Sequence, residues 1–305
     1  MSQSRIFRWR SLLTIGIVFL LVLILTIFTT LSFIRPPRTN KNLLLFPGVL
    51  YERIPFYQPR SIMIHVVTIY LNTSGMKVLV TPRISTSPDM KITARTTSEF
   101  VNEFDLQLGI NANFFYPFYE NTPWDFYPRS GDLVNVVGRA ISHGNDYSVG
   151  DVMDRNWPTL CFNVNNYAEI SDSSICPTST TQAISGNLIL VANGQPVKLP
   201  RNSYIDIKPY PRTAVGINQK GDKLWLVLVD GKQPFYSDGM TVAELQEFMI
   251  NLGVDKALNL DGGGSTTLVV RPDSKGRLLN SPVHTWIPMR ERSIANHLGF
   301  SIVNN

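Results

Sequence analysis

Asn259-Leu260-Asp261-Gly262-Gly263-Gly264-Ser265-Thr266-Thr267 places a carboxylate directly before three residues that have no side chain. Apolar stretches of strand character flank it, residues 256–260 before and 268–270 after. Ordering three consecutive glycines costs more backbone entropy than any other choice, so an ordinary turn seldom uses them. Such a run suits a place where something must approach the main chain closely and amide N–H groups can meet negative oxygens. The bland alternative is a glycine-rich hairpin with an incidental Asp. The segment after the glycines limits the fold: Thr266-Thr267-Leu268-Val269-Val270 is a strand pattern, not a helix. Gly-Lys-Ser/Thr and Gly-x-Gly-x-x-Gly are both absent, which disfavours a nucleotide fold. No Gly-x-Ser-x-Gly elbow occurs, and His65, His143, His284 and His297 form no i, i+4 pair, which disfavours serine and zinc hydrolases.

Working outward, Thr241-x-x-Glu244 is a capping box. Val242, Leu245, Phe248, Met249 and Leu252 supply a helical stripe, and Gly253 is a stop. Residues 212–218 and 223–229 read as strands, and 224–229 is apolar throughout, hence buried on both faces. Asn193-Gly194 between two extended stretches is a hairpin signal. Thr96-x-x-Glu99 starts a second short helix that should end near Asp105, before a strand over 106–111. Residues 61–72 and 76–82 read as an extended pair around Asn72-Thr73-Ser74-Gly75. Strands with few helices, not in strict alternation, predict an α+β fold with a single mixed sheet.

Residues 11–34 are uncharged, apolar and long enough to cross a bilayer of about 30 Å. No Ala-x-Ala site comes after them, so a transmembrane signal anchor is expected rather than a cleaved signal. The expected organisation is a basic tail (1–10), the anchor (11–34), a Pro-stiffened linker (35–50) and one domain (51–305). Arg5, Arg8 and Arg10 before the span nearly balance Arg35, Arg38 and Lys41 after it. A single pass with the domain on the extracytoplasmic side of the cell membrane is the expectation. Cys161 and Cys176 suit either a disulfide or two buried thiols. The net charge of +5 owes much to the residues flanking the span, and no basic run interleaved with aromatics points to nucleic acid.

Polar residues recur at the ends of the apolar strands, where a rigid scaffold holds a site. Gly109-Ile110-Asn111-Ala112-Asn113-Phe114-Phe115 puts two amides on one face if extended. Pro211-Arg212-Thr213-Ala214-Val215-Gly216 begins a strand with a cation, and Asp230, Asp238 and Asp261 stand near strand or turn ends. Arg292 and Asn296 precede the final strand.

Gly-Ile-Asn-Ala-Asn-Phe-Phe, Pro-Arg-Thr-Ala-Val-Gly, the run from Asp230 to Leu245, the glycine motif in its context and Glu291-Arg292-x3-Asn296 together resemble the phosphodiester glycosidase family, from about Gln107 to the C-terminus. The resemblance implies a catalytic α+β domain that hydrolyses a sugar-1-phosphodiester. Its bacterial members look like membrane-bound or secreted proteins linked to surface glycans, an exopolysaccharide among them.

In such a substrate the leaving group is a phosphate monoester, so breaking the anomeric C–O bond needs less proton donation than an ordinary glycoside does. Arg212 suits the phosphate through its planar fork. Gly262, Gly263, Gly264, Ser265 and Thr266 are expected to supply further donors, with Thr213, Arg292 and Asn296 beside them. Asn111 and Asn113 are expected to bind sugar hydroxyls or an N-acetyl group. Three roles stand open for Asp261: nucleophile or general base, orienter of Arg212 or Arg292, or ligand of a divalent cation. Asp230 and Asp238 are the candidates for a second carboxylate. No resident metal or other cofactor is expected, and the oligomeric state stays open. Two other functions compete: a metal-dependent phosphodiesterase and a non-catalytic glycan-binding or assembly protein.

Overall fold

The computed structural model describes residues 3–83, 92–147, 156–199, 207–271 and 275–303. The main strands are β1 (Lys41–Phe46), β2 (Val49–Phe56), β3 (Ile62–Tyr70), β4 (Met76–Val80), β5 (Leu108–Asn111), β6 (Leu188–Ala192), β7 (Arg212–Ile217), β8 (Lys223–Asp230), β9 (Lys256–Asn259), β10 (Leu268–Val270) and β11 (His297–Ile302). The helices are α1 (Gln3–Phe33), α2 (Thr97–Glu103) and α3 (Val242–Asn251). An eight-stranded sheet has the order β1-β2-β3-β8-β7-β9-β6 and ends on the short strand Gln195–Pro196. A five-stranded sheet carries β10, β5, β11 and β4 in that order, with Arg277–Leu278 outside β10.

The period-two alternation of side chains decides how these layers stack. On β8, Leu224, Leu226 and Leu228 face the core shared with Leu108 and Ile110 of β5, while Trp225, Val227 and Val229 face α3. On β10, Leu268 and Val270 point into the shared core and Val269 points to α2. The domain is therefore four layers deep: α3, large sheet, smaller sheet, α2. Gly109 and Gly299 lie opposite each other in register, and a Cβ on either would strike α2-side groups, Val101 at 2.5 Å or Leu106 at 2.5 Å. The missing side chains open the hollow that seats the helix.

The α+β class is borne out, with both capping boxes formed and an apolar N-terminal helix. Every strand pairing among the described residues is antiparallel, and the strands divide among several sheets, which corrects the expected single mixed sheet. The physical reason is that consecutive strands either return by short turns or cross to the other sheet. Residues 61–72 and 76–82 are not a hairpin: β3 pairs with β2 and β8, whereas β4 pairs with β11. The turn between them carries the chain from one sheet to the other. Lys41–Phe46, inside the expected linker, is the edge strand of the large sheet, paired with β2. The apolar stretch of α1, Leu12–Leu31, is long enough to span a membrane and packs no side chains inside the protein.

A third sheet includes the strands Thr159–Asn163, Ala168–Ser171 and Thr180–Ser185, and here Cys161 and Cys176 are joined in a disulfide. The crosslink spans 15 residues. Closing a loop of that length in the unfolded chain corresponds to about 3 kcal/mol. Cys161→Ser with Cys176→Ser is expected to lower stability by about that amount, read as a fall in the urea midpoint without reductant. Equal midpoints would remove the crosslink from the stability of this sheet.

Candidate active site

The glycine motif is the crossover between the two main sheets. Leaving β9, the chain stays beside β7, with Leu260 N donating to Thr213 O (2.9 Å) and Gly263 N to Pro211 O (2.9 Å). It also meets the smaller sheet, through Asp261 N and Ala112 O (3.1 Å). Gly263–Ser265 forms a single 3-10 turn that feeds β10. Gly263 has φ +62, a conformation that favours glycine. At Gly264 a Cβ would sit 2.5 Å from Arg292 Nη2, so the absent side chain is what lets that guanidinium lie on the turn.

A cavity of about 560 Å³ opens over this turn. Asp261, Gly262 and Gly263 form one wall, Arg212, Arg292, Lys232 and Glu120 contribute charge, and Phe114, Phe115, Phe118 and Tyr210 supply aromatic faces. Asn187, Asn259 and Leu260 complete the lining. Asp261 and Arg212 thus share one cavity, although they belong to different strand ends.

Burial pushes the Asp261 carboxyl up to about 6, against the opposing pull of the Ser265 hydroxyl, the Arg292 charge and the Gly262 amide. Glu120 goes the other way, down to about 2, held by hydrogen bonding from His284 and by Arg292 in spite of partial burial. Arg292 is 8% exposed, donates from Nη2 to Glu120 Oε2 (2.6 Å) and from Nη1 to Ser265 Oγ (3.3 Å), and stands over the Phe118 ring. His284 Nδ1 lies 3.4 Å from Arg292 Nε and 3.6 Å from Glu120 Oε2. The tautomer with a proton on Nδ1 gives it to Glu120, and the other accepts from Arg292. Burial holds the His284 pKa down, so the ring favours its neutral form. Two carboxylates with pKa values driven apart, both near one guanidinium, form the pattern that separates acid–base roles at a site.

Several expected residues have other duties. Arg212 lines the cavity, yet its Nε donates to Met240 O (2.9 Å) and its Nη2 to Lys208 O (3.1 Å), so part of its fork is committed to protein carbonyls. Asn111 is fully buried; its Nδ2 donates to the Asp261 carbonyl and its Oδ1 accepts from Thr213 Oγ1 and Thr267 N. It clamps the glycine turn. Asn113 is equally buried, donating to Val137 O and Arg139 O and accepting from Ser185 N and Asn296 Nδ2. Neither amide lines the cavity, and Asn296 and Thr213 share this internal network. A buried amide must satisfy its own donors and acceptors, which explains why these residues face inward rather than toward a ligand. Gly263, Ser265 and Thr266 amides bond to Pro211, Gly262 and Gly263 carbonyls, so the run is shaped chiefly for close approach rather than as a cradle of free donors. Thr266 is 1% exposed, with its hydroxyl beside Thr213 Oγ1.

Asp230 is 1% exposed, accepts from His65 Nε2, Asn280 Nδ2, the Ser281 amide and Tyr236 Oη, and does not line the cavity. Asp238 is exposed and also lies outside it. The structure instead brings Glu120, Lys232, Tyr210 and Phe118 to the cavity. Their local sequence carries no helical or extended strand periodicity: Glu120 lies in a two-residue strand, Tyr119–Glu120, within a stretch rich in aromatic and turn residues, and Lys232 sits in the turn after β8. Among the described residues no group of three or more His, Cys, Asp or Glu side chains is placed to hold a metal ion.

The model of the phosphodiester glycosidase family matches residues 104–301, well over half of the chain. The chain belongs to the phosphodiester glycosidase family. The family is named for glycosidases of phosphodiester-linked sugars, and the chain covers only a small part of the length of the curated relative it matches. Bovine (Bos taurus) N-acetylglucosamine-1-phosphodiester alpha-N-acetylglucosaminidase is 46% identical over 59 residues, which is 19% of this chain and 11% of that protein. The catalytic domain of the zebrafish protein of the same name, auto-inhibited by its pro-peptide, has a TM-score of 0.60 at 18% identity, covering 90% of this chain and 93% of that one. A hypothetical protein from Synechocystis has a TM-score of 0.59 at 14% identity, covering 88% of this chain and 64% of that one. At those identities the likeness to the solved structures concerns the fold.

Proposed function

We propose that this phosphodiester glycosidase family member is a membrane-anchored hydrolase that cleaves the anomeric C–O bond of a sugar-1-phosphodiester, in an exported or surface glycan. The observation that carries the reading is the charge of the cavity. Arg212, Arg292 and Lys232 stand against Asp261 and Glu120, leaving one positive charge that a singly charged phosphodiester neutralises. The aromatic wall suits the apolar face of a sugar ring, and a few placed polar groups fix its orientation. Water's oxygen joins the anomeric carbon while the C–O electron pair goes to the phosphate oxygen. The proton released passes to the Asp261 carboxylate, or that carboxylate forms the bond first and water then releases it. Glu120, ionised throughout the neutral range, holds Arg292 in place over the turn. The apolar Leu12–Leu31 segment and the disulfide support an anchored domain on the extracytoplasmic side.

The test is turnover of an N-acetylglucosamine-1-phosphate methyl diester by the full chain, expected to persist in the presence of a chelator. Arg292→Ala removes the cation on the turn and deprives Glu120 of its guanidinium partner, leaving it the Thr285 amide and His284, and a loss of about 10²–10³ in kcat/KM is expected. Gly264→Ala is expected to reproduce much of that loss, because its methyl group would occupy the guanidinium's position. Wild-type rates in both variants would take Arg292 out of the reaction. Glycan binding with no turnover of any sugar phosphodiester would favour a binding or assembly protein instead.

A further inference from the structure

A second cavity, of about 640 Å³, lies between the end of α1 and the domain, and its character is the opposite of the first. Phe28 and Phe33 of α1, with Pro234, Phe235 and Trp286 from two domain loops, make it largely apolar, and Arg35 and Arg38 also contribute to its lining. Phe235 is 97% exposed and Trp286 is 73% exposed, an arrangement that water disfavours for rings of this size. Both have positive φ, 64° and 65°, a strained backbone for bulky residues that persists where surrounding structure imposes it. The imposing contacts lie beneath. Gln233 exchanges hydrogen bonds with Ser281, Nε2 to the carbonyl (2.8 Å) and Oε1 from the hydroxyl (2.8 Å), tying the two loops together. Tyr236 Oη bonds to Pro36 O (3.1 Å), which fixes the loop to the chain just after α1.

The two cavities adjoin at one residue. Lys232 lines both, its Nζ 4.1 Å from the centre of the Tyr210 ring in the charged cavity and 5.8 Å from that of Trp286 in the apolar one. A cation at the junction of a polar and an apolar chamber, beside a helix apolar enough to cross a bilayer, fits an amphiphile with an anionic head.

We infer that the substrate's aglycone is a lipid: the sugar and phosphate occupy the cavity at Asp261, Lys232 holds the phosphate, and the hydrocarbon chain lies in the groove of Phe235 and Trp286. This inference rests on the hydrolase reading, which fixes where the sugar goes. Hydrolysis would release the sugar to water and leave the phosphate on the lipid.

The experiment compares N-acetylglucosamine-1-phosphate diesters with methyl and hexadecyl aglycones, using the full chain in phosphatidylcholine nanodiscs. Burial of even two methylenes is worth about tenfold, so the hexadecyl/methyl ratio of kcat/KM should exceed about ten. Phe235→Ser with Trp286→Ser should lower that ratio several-fold, although partition of the substrate into the nanodisc is unchanged. The same ratio in wild type and variant would overturn the inference while leaving the hydrolase reading intact. Hexadecyl phosphate brominated along its chain gives a readout independent of turnover. It should quench the fluorescence contributed by Trp286, with Trp286→Phe as the blank. If neither diester is turned over, the hydrolase reading falls and quenching decides the groove: quenching keeps a lipid-phosphate site there, and its absence removes it.

Discussion

Asp261→Asn is expected to abolish turnover of a sugar-1-phosphodiester while making the domain more stable at pH 8. Loss of a carboxylate that acts as base typically costs about 10²–10⁴ in rate, and loss of a nucleophile at least as much. The stability effect comes from the sign of the shift. In the folded protein burial raises the Asp261 pKa from 3.8 to about 6, so the fold favours the protonated acid over the anion. That contribution is complete below about pH 4 and is lost as pH rises through about 6. Keeping the carboxylate charged at pH 8 therefore costs up to about 3 kcal/mol, and the neutral amide escapes this cost. Urea unfolding at pH 4 and pH 8 should show the variant gaining on the wild type only at the higher pH. The same titration shapes activity: with the anion as the working form, wild-type kcat/KM should rise with pH up to about 6 and level off above it. A rate that falls above pH 6 would make Asp261 the proton donor. Full activity of the amide variant would remove it from the reaction.

Asp230→Ala is expected to destabilise the domain by about 3–5 kcal/mol, whereas Asp238→Asn should stay within about 0.5 kcal/mol of the wild type. Asp230 ends β8 with its carboxylate 3.0 Å from His65 Nε2, from Asn280 Nδ2 and from the Ser281 amide. Tyr51 Oη in turn meets His65 Nδ1 at 2.9 Å. The row has the outline of a catalytic relay, but every member is buried and none lines a cavity with Asp261. Truncating the carboxylate strands several buried polar partners at once, the costly case for a low-dielectric interior. It also loosens the loops that carry Lys232 and Trp286, so any surviving protein should show a raised KM. Asp238 is exposed, with its backbone but not its carboxylate tied to Ser61 and Lys232. Equal urea midpoints for the two variants would contradict this division of labour.

The sequence made the frame readable and left the walls of the cavity dark, for physical reasons. Capping boxes at Thr96 and Thr241 are local chemistry, and both form as read. The apolar run of β8 admits only burial on both faces, and it is buried on both. Asp261 and the glycines announce themselves because their cost demands a reason. Asn111 and Asn113 were legible as polar residues on one face, but spacing does not tell a ligand contact from a buried clamp, and their hydrogen bonds are internal. Glu120 reaches Arg292 across 172 positions, and Lys232 meets Tyr210 from a turn without periodicity. Such encounters are set by tertiary packing of loops and leave no mark on a window of neighbours. The strand pairing of residues 61–72 failed likewise: a turn signal fixes a change of direction, not which sheet receives the next strand.

Hydrolysis in oxygen-18 water tests most directly whether the Asp261 cavity breaks the sugar's own bond. With the full chain and an N-acetylglucosamine-1-phosphate diester, the label is predicted in the free sugar, with the phosphate monoester unlabelled. Label in the phosphate instead would mean attack at phosphorus, and would contradict a glycosidase mechanism at this site.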